Sequence, residues 1–166
     1  MTCGHGEEII VETATDLVAD GPTDSDNRRG FSHALEVGMI DHMGFAVSDL
    51  DRARAFYTAA LQPLSITVMM EVTAEQTGAE AHIGFGREGK PFFWISTGQR
   101  PSEGLHIAFN AQSREEVDAF HRAALEAGAE DNGAPGLRPH YHPYYYGAFV
   151  LDLDGNNIEA VCHTPQ

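Results

Sequence analysis

Two stretches of the chain alternate side chains in the extended manner and then change to a helical period at the same distance. Over residues 40–47 a strand is predicted in which His42, Gly44 and Ala46 share one face. Ser48-Asp49 then offers helix caps, and Leu50, Ala53, Tyr57, Ala60 and Leu61 recur at helical spacing until Pro63, which ends the helix. Strands follow near 65–72, 80–87 and 91–97, with Glu88-Gly89 as a hairpin turn. The order then repeats. A strand covers 105–110, with His106, Ala108 and Asn110 on one face, and Ser113-Arg114-Glu115-Glu116 reads as a capping box. The second helix runs to Gly128, a C-cap, and strands follow near 129–133, 145–152 and 157–163. Asp154-Gly155 makes the last hairpin turn.

The repetition extends to residue identities. Ile40-Asp41-His42-Met43-Gly44-Phe45 is echoed by Gly104-Leu105-His106-Ile107-Ala108-Phe109, 64 residues on, and the same offset relates Phe56 to Phe120 and Leu61 to Leu125. Module one therefore spans 39–98 and module two 104–163, within one domain over 39–166. Each is a β-α-β-β-β unit. A four-stranded sheet of this kind cannot bury both faces alone, so the two must pair around a shared interior. The expectation is an α+β fold, two βαβββ modules paired into a curved mixed sheet around a cup. Residues 1–38 read as a largely flexible extension, with one short strand at 8–13 and linker chemistry over 20–27.

Composition narrows the function classes. At 166 residues and 42% hydrophobic, the chain can bury a core without disulfide staples. Its formal charge of −15 argues against nucleic acid or an anionic membrane as partner. No apolar run approaches the roughly 20 residues of a transmembrane helix, and Glu7 and Glu8 precede the apolar Ile9-Ile10-Val11, unlike a signal peptide. With only Cys3 and Cys162, a disulfide framework is not expected, and the reducing cytoplasm is the default location.

Small neighbours beside each strand histidine leave open space rather than a packed plug. Glu159 sits in the terminal strand with Asn157 and Val161 on its own face. If the two sheets curl around one cavity, His42 and His106 approach from equivalent strands and Glu159 joins them. Two imidazoles and a carboxylate form an open triad suited to one divalent metal: Fe, or Zn, Ni or Mn with changed geometry.

Asp41-His42-Met43-Gly44-Phe45-Ala46-Val47-Ser48-Asp49-Leu50 with Ala55-Phe56-Tyr57, and Phe149-Val150-Leu151-Asp152-Leu153-Asp154-Gly155-Asn156-Asn157-Ile158-Glu159, resemble the opening and closing motifs of the vicinal oxygen chelate superfamily. That group includes glyoxalase I, bleomycin- and fosfomycin-resistance proteins and extradiol dioxygenases. The resemblance covers about 39–163 and implies a metal held by His42, His106 and Glu159, a small substrate chelating through neighbouring oxygens, and a homodimer. Departures matter too. Where metal-binding glyoxalases carry a fourth ligand, alignment places Phe93, or Trp94 after one slip; where extradiol enzymes carry a tyrosine, Phe149 stands. No histidine occurs between Ile83 and Leu105, and nothing basic follows Arg138.

The segment Leu137–Tyr146 is dense in aromatic and imidazole groups. His140 or His142 is a candidate general acid/base, alongside Glu159. Arg138 is a candidate for a substrate carboxylate. Tyr145, on the strand parity of Phe149, and Phe93, Trp94 and Phe149 are candidates to line the substrate. The expectation is a metal-dependent enzyme, with glyoxalase-like lyase or isomerase chemistry ahead of extradiol-type ring cleavage, and a metal-free drug- or metabolite-binding protein as the other class.

Overall fold

The computed structural model describes residues 40–102 and 104–165. The extension 1–38, with its expected strand and Cys3, lies outside the described residues. Module one runs β1 (Met43–Ala46), α1 (Leu50–Leu61), β2 (Thr67–Val72), α2 (Ala74–Thr77), β3 (His82–Arg87) and β4 (Lys90–Ser96). Module two runs β5 (His106–Asn110), α3 (Arg114–Glu126), β6 (Glu130–Leu137), β7 (Tyr146–Leu151) and β8 (Asn157–Cys162). Each module forms one mixed sheet, in the orders β1-β4-β3-β2 and β5-β8-β7-β6. β1 runs parallel to β4, and β5 parallel to β8. This is the α+β fold of two like βαβββ modules that the chain pattern predicts.

Local chemistry sets the helix starts. Asp49 accepts the Arg52 N–H at 3.0 Å, and Ser113 accepts that of Glu116 at 3.3 Å. Glu116 reaches back one residue further than a capping box requires, to the Gln112 N–H at 2.7 Å. Pro63 does not simply stop α1; it sits inside a 3-10 turn, Gln62–Leu64. β6 extends well past its expected end. It tolerates Gly133, Pro135 and Gly136 because it is an edge strand with register shifts around Gly133.

The two modules join through their apolar faces. Phe45, Phe85, Phe93 and Ile95 from one sheet and Ile107, Phe109, Val150 and Ile158 from the other belong to one buried core. Phe93 meets Phe109 edge-on at 5.2 Å between ring centres, and α1 packs against α3. A polar clasp adds to this. The buried Tyr57 phenol donates to Asp152 at 2.5 Å, and Asp154 accepts the Ser48 N–H and an Arg100 N–H, each at 2.9 Å. The clasp fixes the turn from which β8 departs. With their apolar faces joined, the sheets leave the faces that carry His42 and His106 exposed.

Candidate functional site

Glu159 organises the module-two face. Strand register sets it between Ala108 on β5 and Phe149 on β7. Its side chain is 1% exposed. One carboxylate oxygen, Oε1, accepts the Tyr145 hydroxyl at 2.5 Å, and the other, Oε2, lies 3.3 Å from His106 Nε2. Room for this comes from Gly147, where a Cβ would stand 2.9 Å from Oε1. Burial pushes the Glu159 carboxyl above its ordinary range, against the Tyr145 hydrogen bond and the nearby charges of His106, Arg138 and His163. Burial, followed by the Glu159 contact, also pushes the Tyr145 phenol well up, so it stays a donor.

His106 is oriented from behind. Its Nδ1 is 2.8 Å from the Asn157 side-chain amide, which in turn meets Asn132 at 3.1 Å. The Asn157 amide nitrogen donates to Nδ1 while its oxygen accepts from Asn132, so Nδ1 is the acceptor and Nε2 carries its N–H toward Glu159. The Phe149 ring stacks near His106, 6.4 Å between centres.

The module-one face holds the third candidate ligand. His42 stands at the start of β1, its side chain 63% exposed, with Nδ1 2.9 Å from Asp41. Asp41 is also bound by Lys90. A groove of about 810 Å³ runs beside His42 over Gly44, Trp94, His82 and Val72, lined by module-one residues alone. Register resolves the alignment slip. Trp94 pairs with Gly44 as Glu159 pairs with Ala108, so Trp94 is the module-one counterpart of Glu159. Its indole lies across Gly84, where a Cβ would stand 2.8 Å from the ring. Phe93 is fully buried on the core side, between Phe45, Tyr57, Phe85 and Phe109. It packs the fold instead of sharing the wall that carries Trp94.

The structure thus brings His106, Glu159, Tyr145 and Phe149 together, with Arg138 beyond Phe149 at 5.5 Å. His42 is not with them in one chain. Among the described residues no three His, Cys, Asp or Glu side chains gather as metal ligands would. The physical reason is the apolar joint between modules, which exposes the two histidine faces instead of enclosing them.

The loop histidines are spread out. His140 packs on Tyr141 at 4.2 Å, while His142 accepts the Tyr144 N–H and lies 6.2 Å from His163. His163 in turn meets the Tyr145 ring edge-on at 5.0 Å. Asn157 and His163 carry no site role in the sequence reading, where Asn157 only shares the Glu159 face and His163 is structural or exposed. Their signal was strand parity, since 157, 159, 161 and 163 alternate onto one face.

The residues present fit a divalent cation in part. An imidazole nitrogen and a buried carboxylate oxygen converge, each braced through its other polar atom, as metal ligands are. A third donor must come from outside this face. The fold and this half-site define a paired βαβββ protein with a braced imidazole–carboxylate pair on one sheet face.

The chain belongs to the Glyoxalase/Bleomycin resistance protein/Dioxygenase superfamily, whose model matches residues 39–160. It is similar to a glyoxalase/bleomycin resistance protein from Albidiferax ferrireducens T118, at 30% identity over 75% of this chain and 99% of that one, with a TM-score of 0.64. A fosfomycin resistance protein from Listeria monocytogenes, solved with Mn(II) and 1S,2S-dihydroxypropylphosphonic acid, shares the fold at 21% identity, covering 75% and 89% of the chains, TM-score 0.55. So does a Zea mays glyoxalase I mutant, at 20% identity over 74% of this chain and 45% of that one, TM-score 0.57. Among curated proteins none matches. Among the described residues no helix is long and apolar enough to cross a membrane.

Proposed function

We propose that the protein is a divalent-metal-dependent enzyme acting on a small molecule that chelates through vicinal oxygens. In this reading its site forms when the module-one groove of one chain closes over the module-two half-site of another in a cytoplasmic homodimer. The ligands are His106 and Glu159, with His42 of the partner subunit. One observation carries the reading. Glu159 is a nearly fully buried carboxylate with no Lys or Arg in ion-pair contact among the described residues, held by Tyr145 so that its second oxygen faces an oriented imidazole. A fold retains such a group at a stability cost when it serves chemistry. Both exposed faces also carry a large, largely apolar side chain, Met70 at 48% exposed beside Gly84 on module one and Tyr141 at 64% against Tyr145 on module two, which suits their covering one another.

A bound divalent cation supplies Lewis-acid stabilisation of negative charge on the chelating oxygens. The chain's own residues do the rest. Tyr145 keeps one Glu159 oxygen occupied and Asn157 sets the His106 ring. Glu159 is the group placed to take up or return a proton, and Trp94 and Phe149 exclude water from the substrate's faces. Lyase or isomerase chemistry is favoured over ring cleavage, because on the Glu159 face an apolar ring, Phe149, stands directly across the strand pair. His140, exposed and packed on Tyr141, is the weaker proton-transfer candidate; His142, packed toward His163, is the stronger loop candidate.

The test is metal content. Purified wild-type protein is expected to take up Mn(II), and His106→Ala to lose it with its circular dichroism unchanged. A purified heterodimer of His42→Ala and His106→Ala chains keeps one intact site, about half the wild-type metal. Uptake below about a tenth of an equivalent for Fe, Mn, Ni and Zn alike would leave the metal-free binding protein, with Trp94 as its platform, as the reading. Metal uptake without heterodimer rescue would place all ligands in one chain.

A further inference from the structure

We propose that the substrate of this site carries an anionic group beyond its chelating oxygens, and that Arg138 receives it. The inference rests on the metal-site reading above and names the substrate class for it. Arg138 follows edge strand β6, yet its guanidinium turns onto the Glu159 face, 5.5 Å over the Phe149 ring. The chain opens a bed for it. A Cβ at Gly136 would stand 2.8 Å from Nη1, so the glycine leaves room for the guanidinium as it lies.

The hydrogen bonds of Arg138 are made within its own segment. Nη2 donates to the Ala134 carbonyl at 2.8 Å and Nη1 to that of Leu137 at 3.4 Å. Both acceptors are neutral, and among the described residues no carboxylate lies within ion-pair distance of it. Three cations of the domain do have such partners: Arg54 has Glu71, Arg100 has Asp154 and Lys90 has Asp41. In a chain with 25 acids against 10 Lys and Arg, a half-buried arginine kept apart from carboxylates is arranged for an anion from elsewhere. Glu159 feels the Arg138 charge across this face, and in the proposed site its own charge is committed to the metal.

The order across the face sets the shape of the ligand. His106 flanks the Phe149 ring at 6.4 Å and Arg138 at 5.5 Å. A molecule chelating at His106 and Glu159 must pass over Phe149 to reach Arg138. The substrate class is therefore a small acid: a vicinal dioxygen head, a short flat or apolar spacer, and a carboxylate or phosphonate at the far end. The planar fork of arginine suits either anion.

Two probes of the same shape separate the possibilities. Mn(II)-loaded protein is titrated by calorimetry with 3,4-dihydroxybenzoate and with the neutral 3,4-dihydroxybenzamide. Wild type is expected to prefer the carboxylate by about tenfold or more, the range of a charge-assisted hydrogen bond. Arg138→Met loses that preference while binding the amide as wild type does, which also shows that it is folded. Arg138→Lys keeps a smaller preference, because the point charge remains without the fork. Equal affinities in wild type, or a preference that survives in Arg138→Met, overturn this inference and leave the metal site standing. Failure of wild type to take up Mn(II) overturns the metal site, and this inference with it.

Discussion

Tyr57→Phe tests how the two modules are locked and, through that lock, how β8 is placed. The Tyr57 side chain is 1% exposed and Asp152 8%. The substitution deletes one oxygen and keeps the ring contacts with Phe45, Phe85 and Phe93. Packing is therefore conserved, and the loss is the 2.5 Å hydrogen bond to Asp152. Asp152 is not stranded. Its Oδ1 still accepts the Asp154 and Asn156 N–H groups at 2.9 and 2.8 Å, and its Oδ2 the Asn156 amide at 2.8 Å. The expected cost is that of one charge-assisted bond, about 1.5–3 kcal/mol. For a domain of this size that lowers Tm by roughly 5–12 °C. Urea unfolding should show the same loss at constant m-value. Asp152→Ala should cost more, because it orphans the phenol, two main-chain N–H groups and an amide together. Burial, then Asp152, holds the phenol pKa well above its usual value, so the difference persists at least to about pH 9. A Tyr57→Phe protein within about 0.5 kcal/mol of wild type would refute the clasp as an energetic element.

Two further outcomes follow from the site. Because burial raises the Glu159 carboxyl pKa, the folded metal-free chain holds that proton more tightly than the unfolded chain does. Its stabilising contribution is full below the ordinary value of 4.5 and is lost as pH rises through the raised one. Metal-free Glu159→Gln should therefore gain Tm relative to wild type as pH rises across that interval, and parallel Tm–pH curves would contradict the assignment. Trp94→Glu places a carboxylate at the module-one counterpart of Glu159, and is expected to tighten Mn(II) binding about tenfold or more by adding ligand charge. Unchanged or weaker affinity would mean that Trp94 does not face the metal in the assembled site.

The chain pattern carried the fold and the pair of residues that meet on the module-two face, His106 and Glu159, for reasons that differ by residue. The 64-residue offset made His42 and His106 equivalent, and in both modules the histidine leads the first strand onto the exposed face. Caps at Asp49 and Ser113 were legible because they act within one helical turn. β6 was under-read because Gly133, Pro135 and Gly136 are turn chemistry by composition, and only its edge position makes them compatible with a strand. Phe93 and Trp94 are neighbours in sequence and on opposite faces in the sheet, so one residue of slip exchanged a core side chain for a groove side chain. Tyr145 was placed on the right face by parity, but that its hydroxyl meets Glu159 depends on how the segment before β7 folds back, which no local pattern encodes.

Whether the ligands share a chain was beyond any local pattern, because it depends on which faces of the modules meet. Each sheet has an apolar face and a face of small and polar residues, and pairing through either would bury surface. The aromatic contact of Phe93 with Phe109 and the Tyr57–Asp152 clasp commit the apolar faces to the intrachain joint. The faces left over are then chemically unequal. Module two offers an imidazole, a buried carboxylate and an arginine, and module one offers an imidazole and an indole. Two copies of module two facing each other would oppose buried carboxylates, and two copies of module one would bring too few donors. In the proposed homodimer, the unlike pairing joins His42 of one chain with His106 and Glu159 of the other and closes the carboxylate's side with the Trp94 wall. That division of labour between the halves is the physical argument for drawing the proposed site between chains.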